Sequence, residues 1–172
     1  MKKILGIICL TIALAMAGRA QERPEHPDVK VKFLNSYEEA LQEAASTGKP
    51  VFFDCYASWA VPCHGMDAAV FSDEEFARWL QDNFICLRLE MTDPANQYLI
   101  AKYSIRFYAH YLILDPQGNL VHRIVGGSKL PEFKNQVARG LDSERSLTGM
   151  GKRYEAGERS VEFLRDYLDA LS

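Results

Sequence analysis

The chain has 172 residues and a formal net charge of −3, with 25% charged and 48% hydrophobic side chains. Mixed charges of this kind provide no basic face for nucleic acid, and the sequence has no Gly-rich phosphate-binding pattern and no paired CxxC zinc spacing. The length suits one compact domain whose core is stabilised by packing rather than by a disulfide framework.

The N-terminus has the pattern of a secretory signal peptide. Lys2 and Lys3 precede the mostly apolar run Ile4–Ala15, and small residues follow. This order is typical of exported proteins, and the run is shorter than the ~20 residues that a membrane-spanning helix needs. We predict a signal peptide at 1–20, a polar linker at 21–28 and export to the periplasm or the medium. An uncleaved anchor is the alternative interpretation.

The first elements of the mature chain alternate between strand and helix patterns. Apolar residues at every second position predict a half-buried strand at 29–33. Ser36 and Glu39 have the spacing of a capping box and predict the start of a helix. The continuous apolar and β-rich run at 51–57 predicts a central strand that is covered on both faces.

Helical spacing returns after Pro62 and continues to a second capping box at Ser72 and Glu75. The apolar run at 84–89 predicts another buried strand. Asp93 and Pro94 then predict a helix start, because proline fits the first helical turn.

The last part of the chain predicts a hairpin followed by helices. Strands at 111–114 and 120–125 flank a turn at 115–118, in which proline and glycine supply the turn conformation. Helical periodicity continues from Leu130 to the C-terminus. We interpret 141–172 as a helical extension that either packs on the sheet or offers an apolar face to a partner.

Strands that alternate with helices and end in a hairpin predict an α/β domain with a mixed sheet. The segments Gly48-Lys49-Pro50, Asp54-Cys55-Tyr56-Ala57 and Trp59-Ala60-Val61-Pro62-Cys63 occur in this order. With these segments, the chain resembles the thioredoxin superfamily, in particular exported thioredoxin-like proteins of the Bacteroidetes. The resemblance implies a three-layer α/β/α sandwich at 29–140, followed by the C-terminal helical extension at 141–172.

The resemblance also implies where the redox site stands and what it lacks. Members of the family carry a W-C-x-x-C turn, in which the first thiol attacks a disulfide and the second resolves the intermediate. Here the attacking position is Ala60 and the resolving position is Cys63. A methyl group cannot attack sulfur, so we expect the dithiol cycle to be absent. Asp54 matches the buried carboxylate that serves the resolving thiol; a structural role in a hydrogen-bond network is the alternative.

A second departure concerns the loop opposite this turn. Family members place a cis-proline there, but this chain has Ala109. A cis bond before a non-proline residue costs roughly 2.5–4 kcal/mol, so we expect the Tyr108–Ala109 bond to be trans. The implied binding cleft consists of the following residues: Trp59, Ala60, Pro62, Tyr108, Ala109 and His110.

Three functions are compatible with this pattern. The first is an exported, redox-degenerate binding or accessory module of a thiol-redox or envelope pathway, which contacts a protein or peptide at the cleft or the C-terminal helix and needs no cofactor. The second is a monothiol oxidoreductase that uses Cys63 with Asp54 as its base. The third is a copper-chaperone-like metal site formed by Cys63 with His110, and with His64 as a further candidate ligand.

The remaining cysteines and histidines are expected to be structural. Cys55 and Asp54 are adjacent in a strand, so the Cys55 side chain points away from the face of Cys63 and the two should not form a disulfide. Cys86, within an apolar run, is expected in the core. His122 is expected on the surface of its strand.

Overall fold

The computed structural model describes residues 29–171, so the predictions made for 1–28 lie outside the described residues. A four-stranded sheet forms the centre, in the order β2-β1-β3-β4. The strands are β1 (Val51–Tyr56), β2 (Ile85–Glu90), β3 (His110–Leu114) and β4 (Leu120–Val125). β1 runs parallel to β2 and antiparallel to β3, and β4 is antiparallel to β3.

Helices connect and flank these strands. They are α1 (Tyr37–Thr47), α2 (Val61–Met66), α3 (Glu74–Asn83), α4 (Gln97–Tyr103), α5 (Leu130–Arg139), α6 (Leu147–Glu155) and α7 (Val161–Leu171). A π-helical turn, Asp67–Phe71, continues α2, and a 3-10 turn, Pro94–Asn96, precedes α4. In the described part of the chain, none of these helices has the length and apolar character that crossing a bilayer requires.

The sheet is covered on both faces, which confirms the predicted three-layer α/β/α sandwich with a mixed sheet. One core contains Phe52 and Tyr111 with side chains of α2, α3 and α5, and it includes Cys63. We call this side of the sheet the Cys63 face. The other core contains Phe53 and Leu112 with side chains of α1 and α4. Because strand side chains alternate, neighbouring residues of β1 and β3 belong to different cores.

Two helix starts were predicted from capping boxes, and one of them is shifted. Ser36 caps α1 as expected, and its Oγ accepts a hydrogen bond from the Glu39 N–H at 3.2 Å. α3 is capped by Asp73 instead of Ser72; its Oδ1 accepts from the Phe76 N–H at 2.7 Å. The Ser72 hydroxyl instead donates to the Ala68 carbonyl at 2.7 Å, which occupies it within the preceding turn.

The strand predicted at 29–33 is wrong. Only Leu34 forms a bridge to the sheet, with Leu87 of β2. The Lys30 N–H donates to the Phe71 carbonyl at 2.7 Å, and the Lys32 N–H donates to the Gln81 side chain at 3.0 Å. The segment 29–33 is half-buried, as its alternating pattern predicts. Its backbone N–H groups at Lys30 and Lys32 bond to the helical layer and not to a strand.

α6 and α7 pack against β4, which is an edge strand of the sheet. The Leu147 N–H at the start of α6 donates to Nδ1 of His122 at 3.1 Å, and the Thr148 hydroxyl donates to the Val121 carbonyl at 3.3 Å. His122 is therefore buried, with 3% of its surface exposed, and its predicted surface position is wrong. Period-two alternation could not reveal that helices cover this edge.

Candidate functional site

The turn between β1 and α2 carries the candidate site. The Ala60 N–H donates to the Ala57 carbonyl at 2.9 Å, and the Cys63 N–H donates to the Ala60 carbonyl at 3.0 Å. Ala60 is the N-cap residue of α2 and makes no side-chain cap, while Pro62 lies in the first helical turn. The methyl group of Ala60 is 2% exposed. The turn thus forms a helix N-terminus with the unreactive methyl group of Ala60 at its N-cap.

Cys63 is shielded. It is 2% exposed, and burial raises the pKa of its thiol to about 11, with Asp54 and Asp67 adding to the rise and the Ala57 backbone opposing it. Cys55, on the opposite face, and Cys86, which lies opposite Phe52 in the strand register, are also buried free thiols. The expectation that Cys55 and Cys63 do not bond to each other agrees with this arrangement. A thiol with such a pKa is almost entirely protonated at neutral pH.

Asp54 is held by an ion-pair cluster beneath the turn. Arg88 donates through Nε to Asp54 Oδ2 at 2.7 Å and through Nη2 to Asp67 Oδ1 at 2.5 Å. The guanidinium lies 4.3 Å from the Phe33 ring centroid and 5.0 Å from that of Tyr56. Asp54 Oδ1 is buried and has no hydrogen-bond partner among the described residues. This geometry favours the structural role that the sequence left open for Asp54.

Burial raises the pKa of Asp54 to about 6, and Asp67 raises it further, while Arg88 opposes both effects. Sequence reasoning identified neither Arg88 nor Asp67. The sequence does contain a feature that points to Arg88, since it is a lone cation within the apolar run of β2. Asp67 follows Cys63 by four residues, which places both on one face of a helix.

The loop before β3 has a conformation that the sequence did not predict. The Tyr108–Ala109 peptide bond is cis, so the expectation of a trans bond is wrong. That expectation considered only the free-energy cost of a cis bond before a non-proline residue. In the fold, Ala109 is fully buried and its carbonyl accepts a hydrogen bond from the Gly126 N–H at 2.9 Å. This hydrogen bond ties the loop to the residue that follows β4. The Tyr108 ring meets the Trp59 ring edge to face, with centroids 5.8 Å apart.

Large apolar side chains are exposed around this junction. Trp59 is 66% exposed, Val61 79% and Phe107 67%. Together with Tyr108 they form a surface on the turn and the facing loop, which we call the aromatic rim. Exposed apolar groups that are concentrated in this way mark a binding surface more often than isolated ones do.

His110 does not take the position that the metal-binding alternative requires. Strand alternation places it with Leu112 on the face opposite Cys63, paired in register with Cys55. It is 2% exposed, and burial, reinforced by Arg123, lowers its pKa to about 4. Neither ring nitrogen makes a hydrogen bond of normal geometry within residues 29–171.

His64 is exposed and hydrogen-bonds the Ser58 carbonyl through Nε2 at 2.8 Å. No group of three or more His, Cys, Asp or Glu side chains in the described ranges is arranged to hold a metal ion. The structure therefore brings Trp59, Ala60, Pro62, Cys63, Tyr108 and Ala109 together and separates His110 from them. The metal-binding alternative is not favoured.

Comparisons with known proteins agree with this fold. A family model described as thioredoxin-like matches residues 32–116. The thiol:disulfide interchange protein DsbD of Ralstonia nicotianae is 30% identical over 136 residues, which cover 76% of this chain and 22% of that protein. The thioredoxin-like protein HCF164 of Arabidopsis thaliana is 26% identical over 145 residues, which cover 81% of this chain and 54% of that protein.

A solved structure gives a fuller match. The solution structure of a proposed disulphide-isomerase from Bacteroides thetaiotaomicron has a TM-score of 0.61 and 31% identity, and the match covers 67% of this chain and 97% of that one. By contrast, the chain spans only about a fifth of the length of the DsbD proteins that it matches. The likeness therefore concerns one domain of those larger proteins.

Proposed function

Because the chain belongs to the thioredoxin superfamily, we propose that it is an exported thioredoxin-fold binding module that has lost the dithiol chemistry of its relatives. The observation that carries this proposal is Ala60, a buried methyl group at the N-cap of α2, where the family resemblance requires the attacking thiol. The signal-peptide pattern at 1–20 supports export. With a single thiol at the turn, no intramolecular step can release a mixed disulfide.

The aromatic rim supports binding as the retained activity. Trp59 and Phe107 expose most of their rings on two adjoining segments of the chain. Aromatic side chains with few rotatable bonds lose little conformational entropy when a partner covers them, which makes them effective anchors. We propose that the rim binds an apolar segment of a protein or peptide partner.

The monothiol alternative receives little support. Cys63 is 2% exposed and its pKa is raised to about 11, whereas reactive cysteines are exposed and have lowered pKa values. Asp54, the base in that alternative, is already bound to Arg88. A buried, protonated thiol is a weak nucleophile.

Insulin reduction with dithiothreitol as electron donor tests the loss of redox activity. We expect the wild-type protein to reduce insulin at the background rate, because only one thiol is present at the turn. Ala60→Cys should raise the rate at least about tenfold by restoring a thiol at a helix N-terminus, which favours the thiolate. Ala60→Ser is the matched control and should stay at background. Turnover by the wild-type protein well above that of Ala60→Ser would overturn the proposal.

Binding of an unfolded, carboxymethylated polypeptide tests the aromatic rim, because this probe has no thiol or disulfide to exchange. We expect saturable binding by the wild-type protein and a loss of at least about tenfold in affinity in Trp59→Ala/Phe107→Ala, in line with the energies of aromatic anchors. Val161→Ala on α7 is the control, since Val161 is 76% exposed but distant in the chain from the rim. Equal affinity of the double variant and the control would contradict the proposal.

A further inference from the structure

A basic depression lies on the sheet face opposite Cys63. It has a volume of about 330 Å³, opens to solvent, and is bounded by the end of α4, the turn between β3 and β4, and β4 itself. Its polar lining includes Lys102, Ser104, Asn119 and Arg123, and no carboxylate within residues 29–171 lines it. Two cations that pair with no acidic side chain in this part of the chain create a positive potential, which favours an anion.

Arg123 uses few of its N–H donors in hydrogen bonds to the described residues. Its Nη2 donates to the Tyr103 carbonyl at 2.5 Å, while its Nε is buried and has no partner among the described residues. A guanidinium carries five N–H donors in a planar fork that suits carboxylate and phosphate oxygens. Burial and the nearby Arg106 both lower the pKa of Arg123, against an opposing effect of Cys55. Arg106 thus adds a third positive charge near the depression.

Lys102 is positioned by a directed chain of hydrogen bonds. Its Nζ donates to the Tyr37 hydroxyl at 2.8 Å, and the Tyr103 hydroxyl donates to the Gly118 carbonyl at 2.8 Å. The Tyr37 and Tyr103 hydroxyl oxygens are 2.6 Å apart, so Tyr37 must be the donor to Tyr103. The ammonium group lies 5.0 Å from the Tyr37 ring centroid. Among residues 29–171 it donates only to the Tyr37 hydroxyl, which leaves two of its three N–H groups for a ligand.

Asp115 is the acidic residue of the adjoining turn, but both of its carboxylate oxygens already accept hydrogen bonds within that turn. Its Oδ1 accepts the N–H groups of Gln117 and Asn119 at 2.9 and 2.8 Å, and its Oδ2 accepts the Asn119 side-chain amide at 2.9 Å. These bonds hold the carboxylate within the turn. It therefore forms no ion pair with Lys102 or Arg123.

We propose that this depression binds an anionic oxygen group, a carboxylate or a phosphate, of a small ligand, with Arg123 and Lys102 as its principal donors. Arg123 would donate through the terminal N–H groups of its guanidinium, since Nε is buried, and Lys102 would supply a point charge. The Ser104 hydroxyl lies in the same lining as a further donor. The depression lies on the sheet face opposite Cys63 and the turn between β1 and α2. It is therefore independent of the function proposed for the aromatic rim.

Isothermal titration with inorganic phosphate and, separately, with succinate tests this site at constant ionic strength. We expect saturable binding by the wild-type protein and at least about tenfold weaker binding in Arg123→Gln, because one charge-assisted pair of hydrogen bonds is lost. Lys102→Gln should weaken binding by a similar factor, and it keeps the test valid if Arg123→Gln does not fold, because Lys102 is exposed. Arg165→Gln, a change of an exposed arginine on α7, is the matched control and should bind like wild type.

Comparing the two anions shows whether the site binds a phosphate group or a carboxylate group. Tighter binding of phosphate than of succinate assigns the site to a phosphorylated ligand, and the reverse assigns it to a carboxylate. The proposal is overturned if neither anion binds saturably, or if the Lys102→Gln protein binds both anions as tightly as the Arg165→Gln control.

Discussion

Arg88 is the residue on which the charge balance beneath the turn depends. Its guanidinium holds Asp54 and Asp67 at once, and its face packs on Phe33 and Tyr56. Without it, two carboxylates would remain in a region of low dielectric constant, where like charges repel strongly. Arg88 therefore offsets part of the cost of burying Asp54 and Asp67 beneath the turn.

This role predicts the effects of two substitutions. Arg88→Met should lower the free energy of unfolding by about 3–5 kcal/mol, because removing one partner leaves buried charges uncompensated. Arg88→Lys should cost less, because it keeps the charge but loses the planar fork that reaches both carboxylates. Urea denaturation at pH 7 measures both, with Arg78→Met on the exposed side of α3 as control. A loss in Arg88→Met no larger than that in Arg88→Lys would contradict the ion-pair role.

At the scale of elements, the C-terminal helices form a small unit beside the edge strand. Phe163 of α7 packs with Met150 of α6 in a cluster of its own, and neither of the two sheet cores contains a residue of α7. α7 also leaves Val161 and Leu168 largely exposed. The helix is therefore attached to the domain by a limited apolar contact.

Deletion of 160–172 should consequently leave the domain folded. We expect a loss of about 2–3 kcal/mol in the free energy of unfolding, which corresponds roughly to one buried aromatic side chain. Circular dichroism during urea denaturation measures this, and unfolding should remain cooperative. Leu168→Ala in the full chain is the control and should change stability by less than about 0.5 kcal/mol, as exposed substitutions do. Loss of cooperative unfolding would instead show that α7 belongs to the core.

At the scale of the whole molecule, three buried groups with large pKa shifts contribute to how stability depends on pH between about 4 and 6.5. The pKa values of His110 and His122 are lowered from 6.5 to about 4, chiefly by burial, and that of Asp54 is raised from 3.8 to about 6, also chiefly by burial. Each histidine stabilises the fold above pH 6.5 and loses this contribution as the pH falls toward 4. Asp54 has the opposite effect, because its contribution is present below pH 3.8 and is lost as the pH rises through 6.

Near pH 5 these effects leave a net difference of one proton, since the unfolded chain protonates both histidines while the folded chain protonates Asp54. The free energy of unfolding should therefore rise by about 1.4 kcal/mol per pH unit around pH 5. Urea denaturation at several values between pH 4 and 6.5 measures the slope. His110→Leu should reduce the slope by about the same amount, with His64→Leu on the exposed turn as control. An unchanged slope in His110→Leu would show that this histidine does not titrate as its burial requires.

Several features followed from the sequence alone. The alternation of strands and helices, the Ser36 cap and the hairpin turn all depend on local rules, because hydrophobic period, side-chain capping and backbone conformation involve residues close in the chain. At Gly118 the local rule and a tertiary contact agree. Its φ is +79°, and a Cβ there would lie 2.8 Å from the Tyr37 hydroxyl, so the turn requires glycine. That position 60 is an alanine can likewise be read directly from the sequence.

Only the tertiary structure decided the rest. The Arg88 bridge between Asp54 and Asp67 and the burial of His122 under α6 join residues that are distant in the chain. Neither periodicity nor a motif encodes which side chain meets which across the sheet. These contacts between distant residues determine which groups are buried and which charges are paired. Burial and charge pairing in turn determine the pKa values and the shape of the site. The sequence therefore determined which chemical groups the protein has, while packing decided which of them are shielded, paired or available to a ligand.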